Sequence, residues 1–283
     1  MISALTLVKK RSAHLRNLLS GLSAGARVPD EVVVVLMDES DPEHEIDVPG
    51  VRCRYVRMNS NDLPLARARN LAARVARHED LVFLDVDCIP SARLISAYEE
   101  VLMERDALFM GPVQYLQAPV DSVDQTELEL RSQPHPDRIP PGERPVSACT
   151  RYELFWSLSF ALHKSTWNRL GGFDGRFNGY GAEDTDFAYT ARRDGVPLLW
   201  VRDALAFHQC HATYDPPLQH FDAIVENARR FWEKWGGWPM EGWLTSFAEM
   251  GLVAWTPGGD GIEILRGPHP LEIEAAKLGE ANR

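Results

Sequence analysis

The sequence predicts an α/β protein with a mostly parallel central sheet flanked by helices. Apolar, strand-like runs alternate with helix-periodic apolar stripes over the first hundred residues. Repeated β-α units of this kind favour parallel strands joined by helical crossovers. Acidic residues follow two of the buried strands, and ligands in such sheets bind beyond the carboxyl ends of the strands. The sequence therefore also predicts where a functional site lies.

The first half of the chain carries the clearest pattern. Its predicted strands are Ile2–Val8, the β-branched run Val32–Met37, a half-buried strand through Val51, Cys53 and Tyr55, and Leu81–Leu84. Three helical stripes alternate with them, namely Leu15, Leu18, Leu19 and Leu22, then Ala68, Leu71, Ala72 and Val75, then Leu94, Ala97, Tyr98 and Val101. Each stripe repeats with the spacing of one helix face.

The pattern changes after Gly111. Residues Ser132 to Pro145 hold five prolines without periodicity, which predicts a loop that is either a binding segment or a surface insertion. The elements predicted beyond it are a strand at Leu154–Ala161, a helix at Lys164–Leu170, a helix at Phe187–Arg193, strands at Leu198–Val201 and Ala204–Phe207, an amphipathic helix from Phe221 to Trp235, and a marginal helix or tail from about Gly267.

Composition excludes some functions. A net charge of -11 argues against nucleic acid as a partner, because a phosphate backbone requires a basic surface. Four widely spaced cysteines without a Cys-x-x-Cys pair fit reduced thiols. We find no signal peptide and no apolar run of the ~20 residues that a transmembrane helix needs. These features predict a cytoplasmic protein without a transmembrane segment.

Two carboxylates, Asp85 and Asp87, stand at the end of the Leu81–Leu84 strand. Hard oxygen ligands suit Mg²⁺ or Mn²⁺, which proteins usually hold with one or two carboxylates together with substrate phosphates. Acidic residues also follow buried strands in many proteins without metals. The pair therefore indicates a metal site only in combination with other signals.

His208 and His211 follow the strand predicted at Ala204–Phe207 and form a second candidate for metal binding. Imidazole beside carboxylate favours manganese over magnesium. A zinc site with Cys210 as a further ligand is the rival interpretation. It is weaker because no second Cys or His pair completes a closed tetrahedral site.

A third signal combines Gly171-Gly172-Phe173-Asp174 with the segment from Gly179 to Asp186, which reads Gly-Tyr-Gly-Ala-Glu-Asp-Thr-Asp. The acids stand at a helix start, where backbone amides favour negative charge. Such a position suits a general base, which we expect to be ionised. Together with the strand-end carboxylates, this segment indicates sugar transfer from a nucleotide.

These motifs resemble family 2 inverting glycosyltransferases with the glycosyltransferase-A fold, a Rossmann-like architecture, over roughly residues 2 to 235. Residues 171–211 are similar to β-1,4-galactosyltransferases and polypeptide N-acetylgalactosaminyltransferases. The resemblance implies a role for each matching residue: Asp184 as the catalytic base, Glu183 as an acceptor-binding acid, Tyr180 in place of an acceptor-stacking tryptophan, Asp87 as a metal ligand, Asp85 as a nucleotide-facing residue, and His208, His211 or both as further metal ligands.

The amino-terminal half supplies donor-site candidates. The segment containing Arg67, Arg69 and Asn70 looks like one that opens a helix near the nucleotide in these enzymes. An arginine there suits diphosphate or ribose, although solvated helix charges are an equally good interpretation. Asp38 resembles the aspartate that reads uracil or ribose. Arg11 is placed like a basic residue of the nucleotide pocket.

We divide the chain into a nucleotide-sugar-binding half (1–110), an acceptor-binding and catalytic half (111–265) with a helical, aromatic carboxyl-terminal subdomain, and a tail (266–283). Trp156 is an acceptor-stacking candidate. The predicted reaction is Mn²⁺- or Mg²⁺-dependent inverting transfer from a UDP-sugar to a glycan or other hydroxyl. The alternatives are a sugar-nucleotide nucleotidyltransferase, which normally carries a glycine-rich loop after the first strand, and a non-catalytic carbohydrate-binding protein.

Overall fold

A computed structural model describes residues 1–37, 45–60, 63–136, 138 and 143–278. Its strands are β1 (Ile2–Val8), β2 (Glu31–Leu36), β3 (Cys53–Arg57), β4 (Asp80–Leu84), β5 (Cys88–Pro90), β6 (Leu108–Met110), β7 (Val113–Leu116), β8 (Ser132–Pro134), β9 (Val146–Ala148), β10 (Ser159–His163), β11 (Leu198–Val201), β12 (Ala206–His208), β13 (Thr213–Tyr214), β14 (Val253–Ala254), β15 (Glu263–Ile264) and β16 (Lys277–Leu278). Its helices are α1 (Ser12–Ala24), α2 (Leu65–Val75), α3 (Leu94–Glu104), α4 (Gln125–Leu130), α5 (Lys164–Leu170), α6 (Glu183–Arg193), α7 (Phe221–Trp235), α8 (Glu241–Glu249) and α9 (Pro270–Ala275), with short 3₁₀ turns at Tyr152–Leu154 and Leu218–His220.

The central sheet has eight strands in the order β3-β2-β1-β4-β10-β6-β11-β9. Strands β1 to β4 pair in parallel, as do β6 and β11, whereas β10 and β9 run antiparallel to their neighbours. Helices α1 and α3 pack on one face of the sheet through one apolar cluster. Helices α2, α5 and α6 pack on the other face through a second cluster. The predicted α/β fold with a mostly parallel sheet is confirmed.

A second, smaller sheet has the strand order β5-β12-β7-β8. Its strand β5 follows directly after β4 of the central sheet. Cys88 pairs with His208 in its antiparallel β5–β12 ladder. Strand β12 also pairs in parallel with β7, so that His208 lies opposite Tyr115. This small sheet therefore brings residues that follow β4 next to residues that follow β12.

Several predicted boundaries in the second half were wrong. Ser132–Pro134, expected in the loop, is strand β8 and pairs with β7. The strand expected at Leu154–Ala161 begins only at Ser159, because the chain first makes a 3₁₀ turn that buries Phe155 in the core. Helix α6 starts at Glu183 rather than Phe187, so that its acids form the first turn.

The carboxyl-terminal region builds an apolar cluster of its own. Helices α7 and α8 share this cluster through residues such as Ile224, Leu244 and Phe247. Helix α9 lies in the segment expected to be a marginal helix or tail, and β16 pairs with β13 directly after it. None of the helices in the described ranges is both long and apolar enough to cross a bilayer.

Candidate active site

The first group of polar residues surrounds Asp87, which lies between β4 and β5. The Nε2 atom of His208 is 3.5 Å from Asp87 Oδ1, and Nε2 of His211 is 3.4 Å from Asp87 Oδ2. Potential ligand atoms of these three residues lie within 4.8 Å of one another. Arg11, at the amino-terminal end of α1, forms an ion pair with the same carboxylate. The three predicted metal ligands are thus brought together.

Asp87 is surrounded by groups that favour its charged form. Burial opposes ionisation, but the charges of His208, His211 and Arg11 and a hydrogen bond from His211 outweigh it, so that the pKa of Asp87 lies well below its ordinary value. This carboxylate remains an anion throughout the physiological range of pH.

The segment that carries both histidines is fixed by Gln209, which is buried between them. Its backbone N–H donates to the carbonyl of Asp87 (2.7 Å), and its side-chain amide donates to the carbonyl of His14 (3.1 Å) and accepts from Asn17 (2.8 Å). The Cys210 thiol donates to the carbonyl of Leu116 at 2.9 Å. Among the described residues, Cys210 is not part of the ligand cluster, which weakens the zinc interpretation.

The second group is organised by Arg69 of α2, whose side chain is only 3% exposed. Its Nη2 is 3.1 Å from Asp85 Oδ1, and its Nη1 is 3.1 Å from Glu183 Oε1. The guanidinium also lies over the ring of Phe173, 5.1 Å from its centroid. Arg69 therefore joins the strand-end carboxylate of the first half to the start of α6 in the second half.

Near Arg69, the pKa values of Asp184 and Asp85 are shifted in the direction opposite to that of Asp87. Burial, reinforced by the charge of Glu183, raises the pKa of Asp184 to about 7. Burial also raises the pKa of Asp85 to about 6, with Asp87 adding to the shift and Arg69 opposing it. Asp184 lies in the first turn of α6, as expected, and a pKa of about 7 leaves it partly ionised near neutral pH.

The turn before α6 requires glycine. Gly179 and Gly181 have positive φ values of 78° and 99°, and a Cβ on Gly181 would lie 2.7 Å from Met240 Sδ. Asn227 of α7 donates its side-chain amide to the carbonyls of Gly181 and Asn178, both at 3.0 Å. Helix α7 thus fixes the turn that positions Glu183 and Asp184.

The α2 residues predicted to contact the nucleotide have other contacts. Asn70 exchanges two hydrogen bonds with the backbone of Phe173, at 2.7 and 2.9 Å, and so holds the Gly-Gly-Phe-Asp turn. Arg69 has both terminal nitrogens in ion pairs, as described above. Both residues stay predicted contacts of the nucleotide, and their observed contacts also join α2 to the second half of the chain. Arg67 is exposed and donates to Asn178 (3.3 Å), and Asp38 lies outside the described residues.

The two aromatic acceptor candidates lie in different surroundings. Tyr180 stacks on His220 at 4.7 Å between ring centroids and on Trp243 at 5.9 Å. Trp156 is half-buried and contacts His135 edge to face at 4.8 Å. The sequence pattern did not predict the contact between Trp156 and His135, because His135 lies in an aperiodic segment. The proline content of that segment was its only signal.

No family model matches the sequence. Among curated proteins, it is 29% identical to a hyaluronan synthase of Pasteurella multocida in an alignment of 192 positions that covers 59% of this chain and 19% of the synthase. It is also 25% identical to a validoxylamine A glucosyltransferase of Streptomyces hygroscopicus subsp. limoneus in an alignment of 248 positions that covers 75% of this chain and 52% of that enzyme. The match thus spans about a fifth of the first relative and about half of the second.

Solved structures agree with the fold described above. Staphylococcus aureus TarS 1–349 in complex with UDP-GlcNAc matches with a TM-score of 0.58 and 13% identity, over 82% of this chain and 66% of that one. GalNAc-T7 with UDP, GalNAc and Mn²⁺ matches with a TM-score of 0.56 and 14% identity, over 74% of this chain and 43% of that one. The protein has the fold of the glycosyltransferase-A enzymes, and its curated relatives are glycosyltransferases.

Proposed function

We propose that the protein is a metal-dependent, inverting glycosyltransferase that moves a galactose-, N-acetylgalactosamine- or glucose-type sugar from UDP to an acceptor hydroxyl. One observation carries the proposal. Arg69 links Asp85, two residues from the Asp87–His208–His211 cluster, to Glu183, which adjoins Asp184. A group able to hold a metal and a carboxylate able to take a proton therefore lie at the same edge of the fold.

The Asp87 cluster suits Mn²⁺ or Mg²⁺. One carboxylate and two imidazoles leave coordination positions for diphosphate oxygens, and the imidazoles favour Mn²⁺. When bound, such an ion would neutralise the charge of the departing diphosphate. GalNAc-T7 is solved with UDP and Mn²⁺, which supports this choice.

In the proposed reaction Asp184 takes the proton of the acceptor hydroxyl as the oxygen forms its bond to the anomeric carbon. The bond from that carbon to the diphosphate breaks on the opposite face, and UDP leaves. A base with a pKa of about 7 is well matched to this task near neutral pH. Glu183, held by Arg69, positions the acceptor hydroxyl, and no covalent intermediate is required.

The remaining candidates have supporting roles in this proposal. Arg11 faces Asp87 with about a third of its side chain exposed and is placed to contact the diphosphate. The other predicted contacts of the nucleotide stay predictions, namely Asp38, Arg67, Arg69, Asn70 and Asp85. Tyr180 and Trp156 offer aromatic faces to the acceptor sugar, as aromatic side chains commonly do for apolar ring faces.

UDP binding with and without Mn²⁺, measured by isothermal titration, tests the donor site first. We expect Mn²⁺ to strengthen UDP binding and Asp87→Ala to remove that effect, because the metal loses its anionic protein ligand. Asp106→Asn, at an exposed carboxylate beside Arg169, is the matched control and should behave like the wild type. A UDP affinity that is changed neither by EDTA nor by Asp87→Ala would refute the metal site.

The reaction itself is tested by incubating the protein with UDP-galactose, UDP-N-acetylgalactosamine or UDP-glucose and acceptor sugars, and by assigning the anomeric configuration of the product by NMR. We expect inversion. Retention would exclude direct displacement. Synthesis of UDP-sugar from UTP and sugar 1-phosphate would identify a nucleotidyltransferase, and binding of sugars without turnover would identify a non-catalytic protein.

A further inference from the structure

We propose that the cavity beside Arg138 binds an oxyanion, a carboxylate or a phosphate, carried by the acceptor, so that the protein selects acidic acceptors. The cavity lies between β7, the segment after β8 and β11, all in the second half of the chain. The assignment of the anion to the acceptor rests on the function proposed above. The binding site itself is derived from the surroundings of Arg138.

Arg138 is buried, and none of the described residues supplies a counter-ion to it. Its side chain is 5% exposed, and within the described ranges no hydrogen-bond acceptor meets its Nε or Nη1. Its Nη2 lies 4.0 Å from the sulfur of Met110, a weak acceptor. A buried guanidinium without acceptors is costly, because its charge and its donors are removed from water without replacement. A ligand that supplies oxygen acceptors would remove this cost.

Two tryptophans hold Arg138 in place. Its guanidinium carbon is 4.8 Å from the ring centroid of Trp200 and 5.3 Å from that of Trp156. Contacts with ring faces stabilise a cation while leaving the donors in the guanidinium plane available. The arginine is thus preorganised, and burial lowers the pKa of its guanidinium.

Arg138 lines a cavity of about 290 Å³ together with Trp200, Gln114 and a second arginine, Arg202. Arg202 donates to the carbonyl of Glu143 at 2.7 Å, which holds its side chain at this wall. Arg202 also pairs with Asp203 at 3.4 Å, so that Arg138 supplies the positive charge of this cavity in a protein whose net charge is -11. Local charge of this sign, opposite to that of the whole chain, attracts an anionic group.

The cavity is connected to the proposed active site through aromatic contacts. Trp156 contacts both Arg138 and His135, His135 contacts Tyr115 at 5.2 Å, and Tyr115 stacks on His208 at 4.6 Å. In this proposal the acceptor sugar lies beside Trp156, with its anionic group toward Arg138.

The planar guanidinium fork matches the two oxygens of a carboxylate or phosphate. The test is an NMR titration with methyl β-D-glucuronide, methyl β-D-glucoside 6-phosphate and neutral methyl β-D-glucoside, each with and without UDP and Mn²⁺. We expect at least one anionic probe to bind the wild type on the order of tenfold more tightly than the neutral one. The tighter of the two anionic probes identifies the oxyanion as carboxylate or phosphate.

The Arg138→Met variant should lose this preference, whereas Arg105→Met, at an exposed arginine, should keep it. If Arg138→Met fails to fold, Arg138→Lys decides, because lysine keeps the charge without the fork and should weaken the preference several-fold. Equal binding of all three probes to the wild type, or a preference that survives these variants, would overturn the proposal. Failure of UDP to bind would refute the transferase proposal separately, because the titrations without nucleotide do not depend on it.

Discussion

The two carboxylate groups at the active-site edge differ in what surrounds them. Asp87 lies among Arg11, His208 and His211, and its pKa is far below the ordinary value despite its burial. Asp184 is partly exposed, but loss of hydration and the neighbouring charge of Glu183 both raise its pKa, to about 7. Burial acts in the same direction on both carboxylates, and the cations around Asp87 reverse its effect there.

This difference separates two chemical tasks. A carboxylate whose charge is constant suits a metal and a diphosphate, whereas one that gains and loses a proton near neutral pH suits general-base catalysis. Arg69 contributes to this difference, because it balances part of the charge of Asp85 and Glu183 without contacting Asp87. The predictions below either remove this difference or measure it.

The largest effect is expected for Asp184→Asn, which removes the proton acceptor while nearly preserving shape. Transfer should slow by about 10²–10⁴-fold, the usual contribution of a general base, while UDP–Mn²⁺ binding remains. Steady-state kinetics and titration of the same preparation measure both. Glu183→Gln is the matched neighbour and should mainly raise the acceptor KM. Near-normal transfer by Asp184→Asn would show that another group is the base.

Removing Arg69 should destabilise the fold. Arg69→Met leaves Asp85 and Glu183 without their shared cation, and breaking a buried ion pair costs about 3 kcal/mol or more. Urea denaturation at pH 8 measures the free energy of unfolding, with Arg93→Met as an exposed control. A loss below about 1 kcal/mol, the scale of surface ion pairs, would contradict this role for Arg69.

The two histidines should differ in their effect on metal affinity. His211→Ala should raise the metal concentration needed for activity about tenfold or more, and His208→Ala should raise it less. A tenfold effect is expected because changing even a residue that only hydrogen-bonds to a metal ligand commonly lowers metal affinity by that factor. The order follows from the resemblance to galactosyltransferases and from the hydrogen bond between His211 and Asp87. Mn²⁺ titrations of activity measure both. The reverse order would reassign the ligand, and one copurifying Zn²⁺ per chain would favour a zinc site.

The dependence of the rate on pH should also reveal the raised pKa of Asp184. The reaction needs the ionised form of Asp184, so kcat/KM should rise with pH and level off above about 7. The stability of the folded state changes with pH in the opposite direction. The folded state holds this proton more tightly than the unfolded state does, so the wild type loses stability, relative to Asp184→Asn, as pH rises from the ordinary range of an aspartate to about 7. Thermal unfolding of both proteins between pH 5 and 8 measures this, and parallel curves would contradict the shift.

The first half of the fold was predictable because its strands are continuous apolar runs. Ile2–Val8 is recovered without error, and Leu81–Leu84 lacks only Asp80. The second sheet was not predictable, since strands such as Val113–Leu116 are short and gain their order from partners almost a hundred residues away. Periodicity reports local structure, and these strands have too few residues to show a period.

The candidate site, like the fold, was predictable only in part. The motifs around Asp87 and Asp184 identified residues that the fold brings together. The role of Arg69 was missed, because sequence alone does not show that an arginine on a helix is buried between two carboxylates. Arg138 was missed for a related reason. It lies in an aperiodic, proline-rich segment and becomes distinctive only through Trp156 and Trp200, which are far from it along the chain.

The three-residue ladder between β5 and β12 also has a consequence for folding. It joins Cys88 to His208 across 120 positions of the chain, and the proposed metal ligands stand at its end. Neither half of the chain alone contains the complete ligand set, so the ion would be bound only after the ladder has closed. Mn²⁺ would then select the native state and stabilise it by mass action. The onset of tight Mn²⁺ binding during refolding would mark the moment when the two halves of the enzyme meet.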